Sequence, residues 1–237
     1  THEGINIYDG HHIQYYKGWV ENGPNEKLWL GNSIEYIQCG CDGNIYFLAD
    51  RNLFSYDIRQ ERFNQLTTGN TTPALTTTDT AVWYTSQDSL FQWNPQKQQH
   101  LYVRKIPASN VTVLTVTRNQ NIYVGTDYGL FITENKPSSQ WKHLLEHKGI
   151  HTIFESSNSG IWIGTYMDGL YRIVKGQLIK VPYSPHNGKG TSDRQIRQFT
   201  EDEQHNIWFG TFSGLQKYDP TTDNLSLIHI SEPTRPY

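Results

Sequence analysis

Two long polar connections carry the side chains whose types best suit a ligand. Residues 16–32 and 182–194 each exceed about 12 residues, a length at which a loop in a compact domain is often functional. Aromatic rings beside charged groups suit a sugar, because a pyranose face stacks on Trp or Tyr while Asp and Arg bind its hydroxyls. Together with one hairpin loop, these connections give the candidate ligand-binding residues Trp19, Trp29, Tyr166, Asp168, Tyr183, His186, Asp193 and Arg194. The alternative for single members is structural, with Trp29 packed under its own loop and His186 and Arg194 solvated.

Catalytic and metal-binding patterns are missing from the sequence. Cys39 and Cys41 would point to the same face of a strand, where a disulfide between them would be strained, and no second pair stands at a metal-ligand spacing. The ten histidines are scattered without metal-like spacing. We therefore expect no catalytic residue, no metal and no cofactor.

A repeat running along the whole chain predicts the elements that hold the candidate residues. An aliphatic residue followed by an aromatic one marks a strand in five copies, and a leucine opens a further strand eight or nine residues later. An apolar strand precedes each such hairpin and a more polar strand follows it, which makes four strands per copy. The copies recur at positions 45, 82, 122, 161 and 207, a spacing typical of blades of about 40–45 residues. The predicted fold is all-β, a β-propeller of four-stranded blades.

The repeated aromatic residues could themselves be taken for a binding stripe. Their fixed place in every copy favours packing between blades instead. These residues are Trp83, Tyr123, Trp162 and Trp208.

The repeat covers residues 1–224, and the chain is expected to be a fragment. Residues 1–9 align with residues 211–219, so the chain opens inside a blade, and we expect about five blades plus a remnant. Residues 225–237 look like the conceptual translation of a sequencing adapter and are expected not to be native. The alternative is that residues 225–230 form the outer strand of the fifth blade.

The repeat resembles that of the two-component regulator propeller family. Residues 42–46, 206–211 and 214–219 carry the match, whereas the first two copies have Leu48-Ala49 and Thr85-Ser86 in place of Gly-Thr and need a different turn. The resemblance implies the extracytoplasmic, periplasmic part of a bacterial hybrid two-component histidine kinase of the inner membrane. It further implies an oligosaccharide ligand, a segment without enzymatic activity, a possible homodimer through the full-length sensor, and membrane contact only through missing downstream segments.

The composition argues against some classes of binding partner. Two functions other than ligand sensing remain as alternatives. The net charge of −3, with both signs scattered, argues against nucleic acid, and the apolar runs are too short to span a bilayer. The alternative function is a propeller lyase that cleaves an antibiotic or a polysaccharide. A scaffold that binds protein along the sides of the propeller is a third possibility.

Overall fold

The computed structural model describes residues 4–8, 10–24, 26–158, 160–184 and 190–228, and every regular element in these ranges is a β-strand. The first two hairpins and the first sheet contain β1 (Ile5–Tyr8), β2 (Ile13–Tyr16), β3 (Trp19–Glu21), β4 (Lys27–Trp29), β5 (Ile34–Cys39), β6 (Ile45–Ala49), β7 (Asn52–Asp57) and β8 (Arg62–Gln65). The second and third sheets contain β9 (Thr71–Thr77), β10 (Val82–Ser86), β11 (Ser89–Asn94), β12 (Gln99–Lys105), β13 (Val111–Val116), β14 (Asn121–Thr126), β15 (Gly129–Glu134) and β16 (Lys142–Leu144). The last two sheets contain β17 (Ile150–Glu155), β18 (Ile161–Thr165), β19 (Leu170–Val174), β20 (Gln177–Lys180), β21 (Ile196–Glu201), β22 (Ile207–Thr211), β23 (Gly214–Asp219) and β24 (Asn224–Ile228).

Each four-stranded sheet is a meander in which the strands pair in chain order. The sheets are β5–β8, β9–β12, β13–β16, β17–β20 and β21–β24, and β1–β2 and β3–β4 are two-stranded hairpins. The repeated aliphatic residue lies in the second strand of every sheet, as in Ile45 of β6 and Ile207 of β22. The predicted all-β class and the four-stranded unit are therefore confirmed.

The chain divides into two compact units, Thr1–Val124 with Thr133–Trp141, and Gly125–Ile132 with Lys142–Tyr237. In the first unit, Tyr46 and Leu48 of β6 pack against Leu75 and Tyr84 of the following sheet. In the second unit, the sheets β17–β20 and β21–β24 bury their facing sides in the same way. Because second strands are covered on both faces, their sequences are apolar almost throughout, and all five residues of β18 are buried.

The repeated aromatic residues belong to these buried layers. Trp83, Tyr123 and Trp162 are buried as predicted, and Trp208 is half-buried. The Trp162 ring packs 4.7 Å from the ring of Tyr218, with the Arg172 guanidinium 5.5 Å from its centroid. This aromatic position therefore holds neighbouring sheets together.

The turn between the first and second strands carries a recurring polar contact. Tyr46 donates its hydroxyl hydrogen to Asp42 at 2.8 Å, Trp83 donates to Thr78 at 3.3 Å, and Trp208 donates to Asp202 at 2.7 Å. Each contact links the edge of the aromatic ring to its own turn, through Asp42 and Asp202 in two sheets and through Thr78 in the other.

The hairpins that lack Gly-Thr form their turns with other residues at positive φ. Asp50 and Arg51 between β6 and β7 have φ of 43° and 63°, and Gln87 between β10 and β11 has φ of 54°. Consecutive positive φ values suit the twist of a two-residue hairpin. The different turn expected in these two sheets is therefore observed.

Strand β24 occupies the place of the outer strand in the last sheet. It pairs with β23 from Asp219↔Asn224 to Leu215↔Ile228, and Leu225 is buried. This is the arrangement described above as the alternative for the segment that begins at residue 225. The pairing follows from alternating apolar residues, a property that an adapter-derived sequence and a native strand share.

Replacing Trp162 by alanine should destabilise the protein strongly, because the cavity would lie between two sheets. We expect Trp162→Ala to lower the free energy of unfolding by about 3–5 kcal/mol in urea titrations followed by circular dichroism. Trp19→Ala is the matched control, since the Trp19 side chain is exposed, and should cost less than about 1 kcal/mol. Equal effects of the two substitutions would contradict the packing role of Trp162.

The carboxyl group of Asp202 should stay ionised well into the acid range. The Trp208 indole N–H, assisted by the Asn206 side chain and the backbone N–H groups of Asn206 and Gln204, lowers its pKa to about 2. A carboxyl whose pKa is depressed on folding adds stability above its unfolded value of about 3.9, and that stability is lost as pH falls towards the folded pKa. We expect Trp208→Phe to raise the pKa of Asp202 in a carboxyl-detected NMR titration. An unchanged pKa would show that the hydrogen bond from the indole does not lower the pKa of Asp202.

Candidate functional site

Three hairpin loops of the second unit display large exposed side chains at equivalent places. Each loop joins the second strand of a sheet to the third, and each bears an aromatic residue between the Thr and Gly of its motif. These aromatic residues are Tyr128, Tyr166 and Phe212, and all three are exposed. We call the surface formed by Tyr128, Lys148, Tyr166, Met167, Asp168, Asp193, Arg194, Phe212 and Ser213 the loop face.

The threonine of each motif fixes the shape of its loop. Thr165 donates its hydroxyl hydrogen to the carbonyl of Gly169 at 2.7 Å and accepts the backbone N–H of Asp168 at 2.9 Å. Thr126 and Thr211 make the same pair of contacts in their own loops. The Gly-Thr motif therefore closes the turn with one hydroxyl and leaves the residues between Thr and Gly to face solvent.

Both the backbone N–H of Tyr166 and one side of its ring make contacts within the second unit. Its N–H donates to the carbonyl of Gly149 at 3.0 Å, and its ring centroid lies 4.5 Å from that of His151. A Cβ atom on Gly149 would come within 2.9 Å of the tyrosine ring, so glycine leaves room for this approach. Burial, followed by the charge of Arg197, lowers the pKa of His151 below its usual range.

Asp168 forms an ion pair at the end of the same loop. Its Oδ1 lies 3.0 Å from Nζ of Lys148, which comes from the connection before β17. About a third of each side chain is exposed, 32% for Lys148 and 36% for Asp168, so both heads can still meet a ligand. Because each charge has a partner, the pair offers hydrogen-bonding groups without a strong local field.

The connection before β21 is hydrogen-bonded to the hairpin loop that carries Tyr166. Gly169 donates its N–H to the carbonyl of Arg194 at 2.9 Å, and Gln195 Nε2 lies 3.5 Å from the Met167 sulfur. The Arg194 guanidinium in turn lies 5.1 Å from the centroid of the Tyr183 ring, a cation–π arrangement. The fold thus joins the backbone next to Asp168 to that of Arg194, although the two candidates are far apart in sequence.

The groups around Asp193 on the loop face favour its carboxylate form, which accepts hydrogen bonds. Burial acts to raise its pKa, but the Ser213 hydroxyl and the N–H groups of Gln195, Arg194 and Ser213 outweigh burial and hold the pKa below its usual range. The carboxylate accepts the N–H of Gln195 at 2.9 Å and the hydroxyl of Ser213. These contacts join the β21 connection to the hairpin loop of the last sheet.

The two candidate tryptophans lie in the first unit. Trp19 and Trp29 are directly opposite each other in the β3–β4 hairpin, and their ring centroids are 5.5 Å apart at 62°. Asn22 fastens this hairpin by two 2.8 Å hydrogen bonds to the backbone of Phe63. Trp19 is 67% exposed and Trp29 is 39% exposed, and the Trp29 ring lies against Gly18 of its own connection as well as beside Trp19.

The structure therefore divides the candidate set. Tyr166, Asp168, Tyr183, Asp193 and Arg194 belong to the second unit, whereas the tryptophan pair belongs to the first. His186 lies outside the described residues. Sequence reasoning placed the hairpin loops with Tyr128, Phe212 and Ser213 on the candidate surface but left these residues out of the candidate set. It did not single out Lys148, which carries no local signal.

Within the ranges that the structure covers, no group of three or more His, Cys, Asp or Glu side chains could hold a metal ion. The same ranges contain no helix long and apolar enough to cross a membrane.

Comparisons with known proteins agree with the resemblance of the repeat. No family model matches the chain. A histidine kinase, P4 of Formosa agariphila, is 25% identical over 167 residues, which are 63% of this chain and 12% of the kinase. The chain thus spans about an eighth of that relative.

Two solved structures show the fold. The extracellular domain of a hybrid two-component system of B. thetaiotaomicron superimposes with a TM-score of 0.71 and 18% identity, over 91% of this chain and 30% of that domain. Virginiamycin B lyase of Staphylococcus aureus gives a TM-score of 0.69 and 12% identity, over 97% of this chain and 79% of the lyase. Taken with the five four-stranded sheets, these likenesses confirm the β-propeller fold.

Removing the hydroxyl of Thr165 should loosen the Tyr166 loop. Thr165→Val keeps the shape of the side chain but loses both hydrogen bonds, so we expect the Asp168 amide to exchange with deuterium about three- to tenfold faster. Thr165→Ser retains the hydroxyl and is the control. Unchanged exchange in the valine variant would show that the motif does not fix the loop.

Proposed function

We propose that this chain is the ligand-sensing propeller module of a bacterial hybrid two-component sensor and that the loop face binds an oligosaccharide. One observation carries the proposal: exposed aromatic rings on hairpin loops of the second unit stand beside charged groups already fixed by hydrogen bonds. The module would sit in the periplasm, and the kinase, the membrane segment and any homodimer contact would come from other parts of the full-length protein.

The relatives support a sensory role. One is a histidine kinase and another is the extracellular domain of a two-component system. Because the chain matches only 12% of that kinase, phosphotransfer would belong to the remainder of the protein. The propeller would then bind the ligand.

The chemistry of the loop face suits a polyhydroxylated ring. Tyr128, Tyr166 and Phe212 offer flat apolar surfaces for the C–H face of a sugar. Asp168 and Asp193 offer carboxylate acceptors for hydroxyl groups, and Lys148 offers a donor. Because these groups are held in place before binding, little conformational entropy is lost when the ligand arrives.

Loss of a stacking ring or of an acceptor should weaken binding. The chain would be screened against oligosaccharides from digests of defined polysaccharides, and hits measured by isothermal titration calorimetry. We expect Tyr166→Ala and Asp168→Asn each to weaken binding by about tenfold or more. Tyr102→Ala is the control, since Tyr102 is also an exposed tyrosine, 61% against 39% for Tyr166, but lies on β12 of the first unit, and should leave affinity unchanged.

The outcome also separates sensing from catalysis. Binding of an oligosaccharide without change in its mass supports the sensor. Appearance of an unsaturated cleavage product would identify the lyase alternative, and binding that is equally tight in all three variants would place the site elsewhere than the loop face.

A further inference from the structure

The hairpin β3–β4 has one buried face and one exposed face. Val20 points inward and belongs to the same buried cluster as Phe47 and Phe54 of the sheet β5–β8. Because side chains alternate between the two faces along a strand, Trp19 and Trp29 point outward. The inward face accounts for the attachment of the hairpin to the sheet, but it does not account for two tryptophans on the outer face.

The backbone pairing brings the two tryptophan side chains close together. Leu30 donates its N–H to the carbonyl of Gly18 at 2.9 Å. The next position, where Trp19 is opposite Trp29, is therefore a non-hydrogen-bonded pair, in which facing side chains lie closer than in a hydrogen-bonded pair. The two rings meet at 62° rather than face to face. They form an angled apolar surface on which most of Trp19 stays exposed.

Two opposite charges lie beside the rings on the same outward face. Glu21 is directly opposite Lys27, two residues along the strands from the tryptophan pair, which is about 6.6 Å at a strand rise of about 3.3 Å per residue. Both side chains are exposed, and neither has an ion-pair partner among the residues that the structure describes. We call the surface formed by Trp19, Glu21, Lys27 and Trp29 the tryptophan face. It offers a hydrogen-bond acceptor and a donor next to the rings.

Contacts at both ends of the hairpin fix the orientation of the tryptophan face. At the tip, the Asn22 side chain is hydrogen-bonded to the backbone of β8, and Glu26 forms an ion pair with Arg62. At the base, the Trp29 ring lies 3.2 Å from the place that a Cβ atom on Gly18 would occupy, so glycine leaves room for the ring. Because the hairpin is already held in place, little conformational entropy would be lost when a ligand binds to it.

We propose that the tryptophan face is a second carbohydrate-binding site, which takes a neutral sugar chain. The C–H face of a pyranose packs on an indole ring, and its hydroxyl groups can bind both a carboxylate and an ammonium group. An apolar protein segment would instead remove water from Glu21 and Lys27 without replacing their hydrogen bonds, which is unfavourable. A charged polymer would be attracted by one of these groups and repelled by the other. The site lies within the first unit and does not depend on ligand binding at the loop face.

The test measures retardation of the protein in native gels cast with laminarin, xylan or pectic galactan. We expect at least one of these polysaccharides to retard the unsubstituted chain. Trp19→Ala should weaken that binding about tenfold or more, because it removes the more exposed of the two rings. Trp19→Phe keeps a smaller ring and should give an intermediate affinity. Since Trp19 is exposed, the alanine variant should remain folded, which circular dichroism checks.

A matched control and the other possible occupants make each outcome decisive. Tyr102→Ala also removes an exposed aromatic residue from the first unit, but from β12, and should be retarded like the unsubstituted chain. No retardation by any of the three polysaccharides, or equal retardation of the Trp19→Ala variant, would overturn the proposal. Binding lost in Tyr166→Ala but kept in Trp19→Ala would assign it to the loop face instead. Self-association that requires Trp19, seen by sedimentation in the absence of retardation, would identify a second copy of the chain as the occupant and would also overturn the proposal.

Discussion

The structure depends on the burial of sheet faces against one another. Each β-sheet has two apolar faces, and full burial of one large apolar side chain is worth about 1.5–3 kcal/mol. An isolated blade would leave both faces in water, so its stability comes from its neighbours, as in other repeat architectures. This accounts for the apolar second strands and for the burial of Trp162 between two sheets of the second unit.

The same constraint leaves the hairpin loops free to vary. Packing of the central strands fixes where each loop begins and ends, and the Thr hydroxyl of the Gly-Thr motif closes the turn through backbone groups, without the side chains of the residues between. Sheets without the motif use positive φ at Asp50 and Arg51 instead, which is less favourable for these residues than for glycine. The fold therefore does not require particular side chains at positions 166 and 168. Tyr166 and Asp168 are free to bind a ligand.

Local patterns predicted much of the fold, whereas the site depended on contacts that no pattern encodes. The aliphatic–aromatic repeat predicted the second strands because burial on both faces demands apolar residues there. The pairing of Lys148 with Asp168 and the stacking of Arg194 on Tyr183 could not be predicted, because they join separate loops through the packing of whole sheets. The strand β24 extends beyond residue 224, where the repeat motif ends, because edge pairing requires only a short alternating segment.

The way the charges are paired on the loop face bears on the type of ligand it would select. Lys148 neutralises Asp168, Ser213 and backbone N–H groups satisfy Asp193, and Arg194 lies on the ring of Tyr183. A strongly charged ligand would have to compete with these existing contacts and lose part of its hydration. A neutral polyhydroxyl ligand can share the same groups through hydrogen bonds and stack its apolar face on the exposed rings. Selectivity on such a surface would therefore come from the geometry of stacking and hydrogen bonding, with little contribution from long-range attraction.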